Sequence, residues 1–441
     1  YIIAGAGARV NSGPSLDDRM VAELPAGTPV EVVEVVPLQA AKRVRARIAR
    51  PPGWISLLNM EDGHRFAVRD ESITSTTIDR GEAWFDSKGQ KIDLRPGESC
   101  GPGGRFVIEE LLGQGAYSTV WRCRDAQTGV HYALKFTRQT RQAQQALTRE
   151  IMLLNQLTAK ALKRDPEGAK SLLCLAFPEG IEFKGHLGVL FEPMKYNLLT
   201  ALERHGQGRG LPLLPTVRNF SRNLFTALRA LRKAGLVHLD VKPENLLVSK
   251  DSESIKLSDF GCTLTEAEIA GLQTDELMPR YYRAPEIIMG QPVGTAVDVW
   301  SAGVTVYQMA TDRLLFSGSS NNQVMHEALE ICGAYPPALA SVGKCAQKHF
   351  AASGDFLLQA SSGFAAPREI PMSHFGPPPR PIEQSLRTLL AEAPRGVPPE
   401  RHEFLVGHLA ELLSACLRFD GSARISAEDA LGHRFFGKRA G

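Results

Sequence analysis

Apolar and polar residues alternate with a two-residue period early in the chain and shift to a three-to-four-residue period in its later parts. In "RVRARIA" the alternation is strict; in "GTPVEVVEVV" it is partial and β-branched; "GWISLL" follows a Pro-Pro-Gly turn. Alternation sends successive side chains to opposite faces, so each run predicts a strand. With the turn-rich "NSGPSLDD", these runs predict a small all-β barrel over residues 1–68. Residues 69–105 are polar, end near "RPGESCGPGG", and predict a linker with at most one hairpin, "EAWFDSKGQKIDL".

Strand-like runs return in "RFVIEELLGQGAYSTVWRCRD" and "HYALKFT", and again in "LGVLFEP". Between them, over residues 140–158, Ala143, Leu147, Glu150, Leu154 and Leu157 recur at intervals of three or four, which is one face of a helix. From about residue 195 the helical period dominates, as in "TVRNFSRNLFTALRALRKAG" and "AVDVWSAGVTVYQMATD". A strand-rich part followed by a helix-rich part predicts an α+β fold of two unequal lobes with a cleft between them.

Composition narrows the partners. With 51 basic and 48 acidic side chains the net charge is only +3, so nothing points to direct nucleic-acid binding. Seven scattered cysteines without a C-x-x-C pair fit a reducing compartment, with neither a zinc knuckle nor a disulfide scaffold. No apolar run reaches the length of a membrane span. The first residue is Tyr, so the chain reads as a fragment whose upstream targeting segment would be invisible.

The chemistry concentrates in the two-lobe part. Gly113 and Gly115 lie between two strands, where the backbone can turn tightly and face phosphate oxygens. Taken alone, that is more often a plain hairpin. No G-K-[ST] follows and the next element is a strand, which excludes a Walker A loop and a dinucleotide fingerprint. Lys135 sits inside the apolar strand "YALKF", an expensive place for an unpaired ammonium, and Glu150 on the following helix could pair with it. Asp240, Lys242 and Asn245 are embedded in apolar "GLVHLDVKPENLL", where a charged ligand would explain them. Asp259 ends the strand "KLSDFG", where a carboxylate can hold a hard divalent ion.

These pieces, in this order, resemble the eukaryotic protein kinase family over residues 106–437, with the N-lobe at 106–193 and the C-lobe at 194–437. "LLGQGAYSTV" resembles the glycine-rich loop, "YALK" the lysine strand, "HLDVKPEN" the catalytic loop, and residues 259–261 and 284–286 the DFG and APE motifs. The resemblance implies ATP and Mg²⁺, with Asp240 serving the substrate hydroxyl proton, Lys242 the transferring phosphoryl group, and Asn245 and Asp259 the metal. Lys135, oriented by Glu150, would hold phosphates. Leu112, Val120, Ala133 and Leu247 would line the adenine slot, Phe191 would be the gatekeeper, and Glu192 and Met194 would offer backbone groups. Asp298 would brace the catalytic loop, and Arg424 would pair with Glu286. Lys242, two residues after Asp240, resembles the serine/threonine-specific form and implies protein substrates.

Residues 1–68 resemble a bacterial-type SH3-like module, which implies a protein partner; Trp54 is either a surface platform or core packing. "PRYYRAPE" resembles the CMGC group, and "LGVLFEPMKYNL" and "LLFSGSSNNQVM" its pre-mRNA-processing Prp4-like branch. That branch implies nuclear work on splicing factors, with the cytoplasm as the other location. Residues 333–400 correspond to the CMGC insert, a docking surface, and the surroundings of Arg280 imply a preference for proline after the target residue. Ser118 replaces the third loop glycine, and Leu239 stands where regulated kinases carry the arginine that meets an activation-segment phosphate. Glu276 would then supply a permanent negative charge, or is simply a solvated loop residue. The rival reading is an inactive kinase-fold scaffold.

Overall fold

The computed structural model describes residues 2–3, 8–12, 18–25, 28, 30, 32–38, 43–48, 53–59, 67–68, 92–114, 118–172, 180–270, 272, 277–359, 366–378, 381–391 and 397–437. The chain divides into two units, Tyr1–Phe85 with Leu357–Glu369, and Asp86–Phe356 with Ile370–Gly441. In the first unit the alternating runs become strands β1 (Ile2–Ile3), β2 (Ala8–Asn11), β3 (Met20–Leu24), β4 (Val32–Leu38), β5 (Arg43–Ile48), β6 (Gly53–Asn59) and β7 (Ala67–Val68). Five of them form an antiparallel sheet in the order β3-β2-β6-β5-β4, and β1 pairs with β7. Ala8, Val10, Val30, Ile48 and Ile55 make its small core. Trp54 is buried, with 8% of its surface exposed, so of its two possible roles the structure favours packing.

The second unit opens with six antiparallel strands: β8 (Ser99–Cys100), β9 (Phe106–Gln114), β10 (Ser118–Asp125), β11 (His131–Thr137), β12 (Ile181–Phe183) and β13 (His186–Phe191), in the order β12-β13-β11-β10-β9-β8. One face of this sheet is apolar core: Phe106, Ile108, Cys123, Leu134, Phe136, Ile181 and Leu190 pack with Ile92, Leu94 and Cys100. The last three fall in the stretch whose polar sequence predicts a linker. Their burial makes residues 92–105 part of the lobe, at about 1.5–3 kcal/mol for each large side chain buried. The hairpin expected around residues 82–94 lies mostly outside the described residues.

Helix α1 (Arg141–Arg164) lies against this sheet. Thr140 Oγ1 accepts the Ala143 N–H at 3.1 Å, capping its start. Ala143, Leu147, Glu150, Leu154 and Leu157 are all buried, the face that the periodicity predicts. Pro166 stops it, since the residue before a proline is disfavoured in helix, and Asp165 caps the next helix, α2 (Pro166–Lys170).

The helical lobe contains α3 (Leu198–His205), α4 (Arg218–Ala234), α5 (Glu266–Ala270), α6 (Pro285–Ile288), α7 (Ala296–Thr311), α8 (Asn321–Cys332), α9 (Pro337–Ala340), α10 (Ala346–His349), α11 (Ile382–Leu389), α12 (Pro399–Cys416) and α13 (Ala427–Leu431). Helix α7 is buried from Val297 to Thr311, as expected of a helix apolar on all sides. Short strands β14 (Tyr196–Asn197), β16 (Leu246–Val248) and β17 (Ile255–Leu257) form one small sheet; β15 (Leu236–Val237) pairs with β18 (Leu264–Thr265). Helix α4 ends at Gly235, whose φ of 72° is left-handed, and the reversal feeds β15 and the loop after it. Arg424 donates to Glu286 at 2.7 and 2.9 Å, also donates to the carbonyls of Ala296 and Arg418, and lies 5.3 Å from the Trp300 ring centroid. No described helix is long and apolar enough to cross a membrane.

Candidate active site

The strand register builds one wall of the site. Val120 lies opposite Lys135, Lys135 opposite Val189, and Ala133 opposite Phe191. Residues directly opposite share a face, as do residues two apart along a strand. Val120, Ala133, Lys135 and Phe191 therefore share the face opposite the apolar core. Leu112 is half exposed; Val120, Ala133, Glu192, Met194 and Leu247 are partly buried, and Phe191 is buried. Gly113 pairs with Val120, and a Cβ placed on it would meet no atom within 4 Å. Gly115 lies outside the described residues.

Lys135 Nζ donates to both Glu150 oxygens, at 3.1 and 2.9 Å, and reaches Asp259 Oδ1 at 3.4 Å. Burial by itself would depress the Lys135 ammonium, but the two carboxylates outweigh it and raise it above the ordinary lysine range. The Lys135 charge in turn holds Asp259 below the usual carboxylate range. Asp259 has a left-handed φ of 62°, a strained position that turns its half-exposed carboxylate toward Lys135. The next residue, Phe260, is buried against the His238 ring, 5.2 Å between centroids.

The loop after β15 carries the other charged groups. Asp240 Oδ1 meets Lys242 Nζ at 2.9 Å, and Asp240 Oδ2 accepts from Asn245 Nδ2 at 2.7 Å. Burial pushes the Asp240 carboxyl up to about 6, with Lys242 pulling against it and the Asp259 charge adding to the rise. Asp298, in the first turn of α7, accepts the N–H groups of His238 at 2.7 Å and Leu239 at 2.9 Å. This clamp holds Leu239 at a left-handed φ of 67°, unusual for a branched side chain. His238 is fully buried and pushed down to about 4 by that burial, so it is neutral. Its Nε2 donates to the Ser258 carbonyl at 3.1 Å while Nδ1 accepts the Asp240 N–H at 3.3 Å.

The donor set fits a hard divalent cation. The Asn245 amide nitrogen is committed to Asp240, so its carbonyl oxygen faces elsewhere and accepts no hydrogen bond among the described residues. Asp259, held ionised, offers carboxylate oxygen. Two such ligands beside phosphate oxygens are what a magnesium-like ion uses. No cluster of three or more His, Cys, Asp or Glu suited to a metal occurs among the described residues.

The profile of the protein kinase domain family matches residues 106–436, three quarters of the chain. The chain belongs to the protein kinase domain family. Among curated relatives, this kinase chain is 29% identical over 372 residues to serine/threonine-protein kinase prp4 of Schizosaccharomyces pombe, covering 83% of the chain and 73% of that protein. It is 27% identical to serine/threonine-protein kinase prpf4B of Dictyostelium discoideum, over 86% of the chain and 45% of the relative. It is also 29% identical to dual specificity tyrosine-phosphorylation-regulated kinase 2 of Drosophila melanogaster, over 75% of the chain. The chain spans under half the length of those last two relatives, 45% and 41%. The resemblance to the Prp4-like branch of the CMGC group thus stands.

Some groups around the kinase site escaped the sequence. Lys256 Nζ lies 2.6 Å from Glu192 Oε1, tying the segment after Phe191 to the strand that presents Asp259. Arg283 secures the segment before APE: its Nε and Nη2 donate to the Met278 carbonyl at 3.1 and 2.7 Å, and Met278 has φ 73°. The only sequence signal for it was its place in "YYRAPE". Glu276 lies outside the described residues.

Proposed function

We propose that the chain is an ATP-dependent protein serine/threonine kinase working with Mg²⁺. The observation that carries this reading is the tie between Lys135, Glu150 and Asp259. It links the strand-rich lobe to the end of β17, where a nucleotide's phosphates would need both a cation and a metal-holding carboxylate. Asp240 accepts the hydrogen bond of the acceptor hydroxyl and orients it; above pH 6 it is ionised for that task. Lys242, within 2.9 Å of Asp240, spreads positive charge over the transferring group. Lys135 positions the phosphates, and Asn245 and Asp259 are the residues that would hold the metal. When bound, Mg²⁺ neutralises charge on the phosphate oxygens. Leu112, Val120, Ala133, Phe191 and Leu247 supply an apolar slot for the adenine, and the backbone at Glu192 and Met194 its hydrogen bonds.

The acceptor site favours proline after the target residue. The Met278 carbonyl is occupied by Arg283, so it has little capacity for a substrate N–H. A residue carrying an N–H there would leave it unsatisfied, whereas proline has none to satisfy. Residues 1–68 act as an SH3-like partner-binding module, a reading supported by the five antiparallel strands, and residues 333–400 act as a docking insert. Through the Prp4-like resemblance the substrates are splicing factors and the compartment is the nucleus.

Radiolabelled ATP with a mixture of Ser/Thr-Pro peptides tests the reading, with Asp240→Ala as control. Transfer by the wild type at least a hundredfold above the variant is expected; equal incorporation overturns it.

A further inference from the structure

Arg149 stands next to Glu150 on α1 but turns away from Lys135. Its Nη1 donates to the Thr263 carbonyl at 3.0 Å and its Nη2 to Glu268 Oε1 at 2.8 Å. Both partners belong to the segment that follows Asp259, on the other lobe. We infer that Glu268 is a positioning residue for phosphoryl transfer: its carboxylate, acting through Arg149, holds α1 where Glu150 meets Lys135. The inference rests on the kinase reading and assigns the fixed negative charge of the activation segment to a described residue, upstream of Glu276.

Three observations carry it. First, the residue before Asp240 is Leu239, buried and fixed by its backbone to Asp298, so the loop offers no cation at that place to receive a phosphate. Order in the segment after Asp259 must come from other contacts. Second, the Glu268 carboxylate is built in. Its Oε2 accepts from Thr265 N at 2.8 Å and Thr265 Oγ1 at 3.0 Å, while Thr265 Oγ1 accepts from Glu268 N at 3.2 Å. This capping box opens α5 and fixes the carboxylate independently of Arg149. Partial burial would raise the Glu268 carboxyl, but Thr265 and Arg149 outweigh it and keep it ionised. Exposed ion pairs are weak mainly because two mobile side chains must be immobilised; here one is already held.

Third, the far end of α1 is pinned to the same lobe. Arg164 Nη1 donates to the Lys233 carbonyl at 2.9 Å, and Arg229 donates to both oxygens of the buried Asp165 at 2.6 and 2.8 Å. With its tail fixed on α4, α1 can withdraw Glu150 from Lys135 only by swinging at the Arg149 level, where the Glu268 contact resists. The assembled state therefore needs no phosphate on the activation segment.

The test uses the full chain. Glu268→Gln keeps the capping geometry and removes the charge. It is expected to lower kcat about fivefold with KM for the peptide and the melting temperature unchanged. In an Arg149→Met background, where the partner cation is gone, the same Glu268→Gln change is expected to leave kcat unaltered. Phosphatase-treated wild type is expected to keep its rate. Hydrogen exchange over residues 141–158 should be faster in Glu268→Gln, and this readout stands even if the wild type transfers no phosphate, which would sink the kinase reading instead. Unchanged kcat and unchanged exchange in Glu268→Gln overturn the inference. So does a tenfold loss on phosphatase treatment, which would give the role to a phosphate.

Discussion

Replacing Asp298 by Asn separates catalysis from stability. Asp298 is 3% exposed and accepts two backbone N–H groups, from His238 and Leu239. Asn offers one oxygen and turns an NH₂ toward the second N–H. One charge-assisted bond is lost and one buried donor is stranded, together about 2–4 kcal/mol. The loss falls on Leu239, whose left-handed conformation costs about 1–2 kcal/mol and persists only while clamped. Asp240, the next residue, then moves, and a displacement near an ångström costs about a hundredfold in rate. Burial opposes this in the stability account. It pushes the Asp298 carboxyl from 3.8 up to about 6, so its ionisation above that pH costs about 3 kcal/mol of folding stability. The favourable share of a raised carboxyl is present below its unfolded value and lost as pH rises through about 6; the neutral Asn has no such dependence. The wild-type lead in melting temperature over D298N should thus narrow as pH rises from 5 to 8. At pH 8, kcat should still be down about a hundredfold. Radiometric rates and thermal scans at pH 5, 6.5 and 8 check both. Activity within threefold of wild type, or a stability gap that widens with pH, refutes the reasoning.

On the proposed mechanism Asp240 must be ionised to accept the hydroxyl's hydrogen bond, and burial pushes it up to about 6, so kcat/KM should rise with pH through that value and level off above it; a flat profile from pH 5 to 8 would contradict the assignment. Arg424→Met strands buried Glu286 and should cost about 3–5 kcal/mol by chemical denaturation, with E286Q/R424M less destabilised than R424M alone. Arg283→Gln should free the Met278 carbonyl and relax the proline preference in a positional peptide library without abolishing transfer. Lys256→Met, releasing Glu192, should raise KM for ATP about threefold and leave kcat unchanged, as read from ATP titrations.

The α1 face was legible because five residues at helical spacing report one buried stripe, whatever covers it. The order of glycine loop, Lys135, Glu150, Asp240 and Asp259 was legible because each sits in an apolar context that makes its polarity conspicuous. What stayed hidden involves partners far apart in sequence. Arg149 and Glu268 are 119 residues apart, and each is an ordinary surface charge until the fold brings them together. The twisted backbone at Leu239 and Met278 was hidden too, since nothing in a Leu or Met announces a positive φ. Residues 92–105 were misleading for another reason: Gly, Pro and charges dominate them, and Ile92, Leu94 and Cys100 are too few to set a period.

That short segment sets where the catalytic unit can be cut. A truncated chain starting at residue 106, where the family match begins, would lose β8 from the sheet edge and uncover Phe106 and Ile108. Such a fragment would present an open strand and an apolar patch, the two features that drive self-association. Severing the chain upstream of residue 92 avoids both, so the smallest soluble catalytic fragment should begin there.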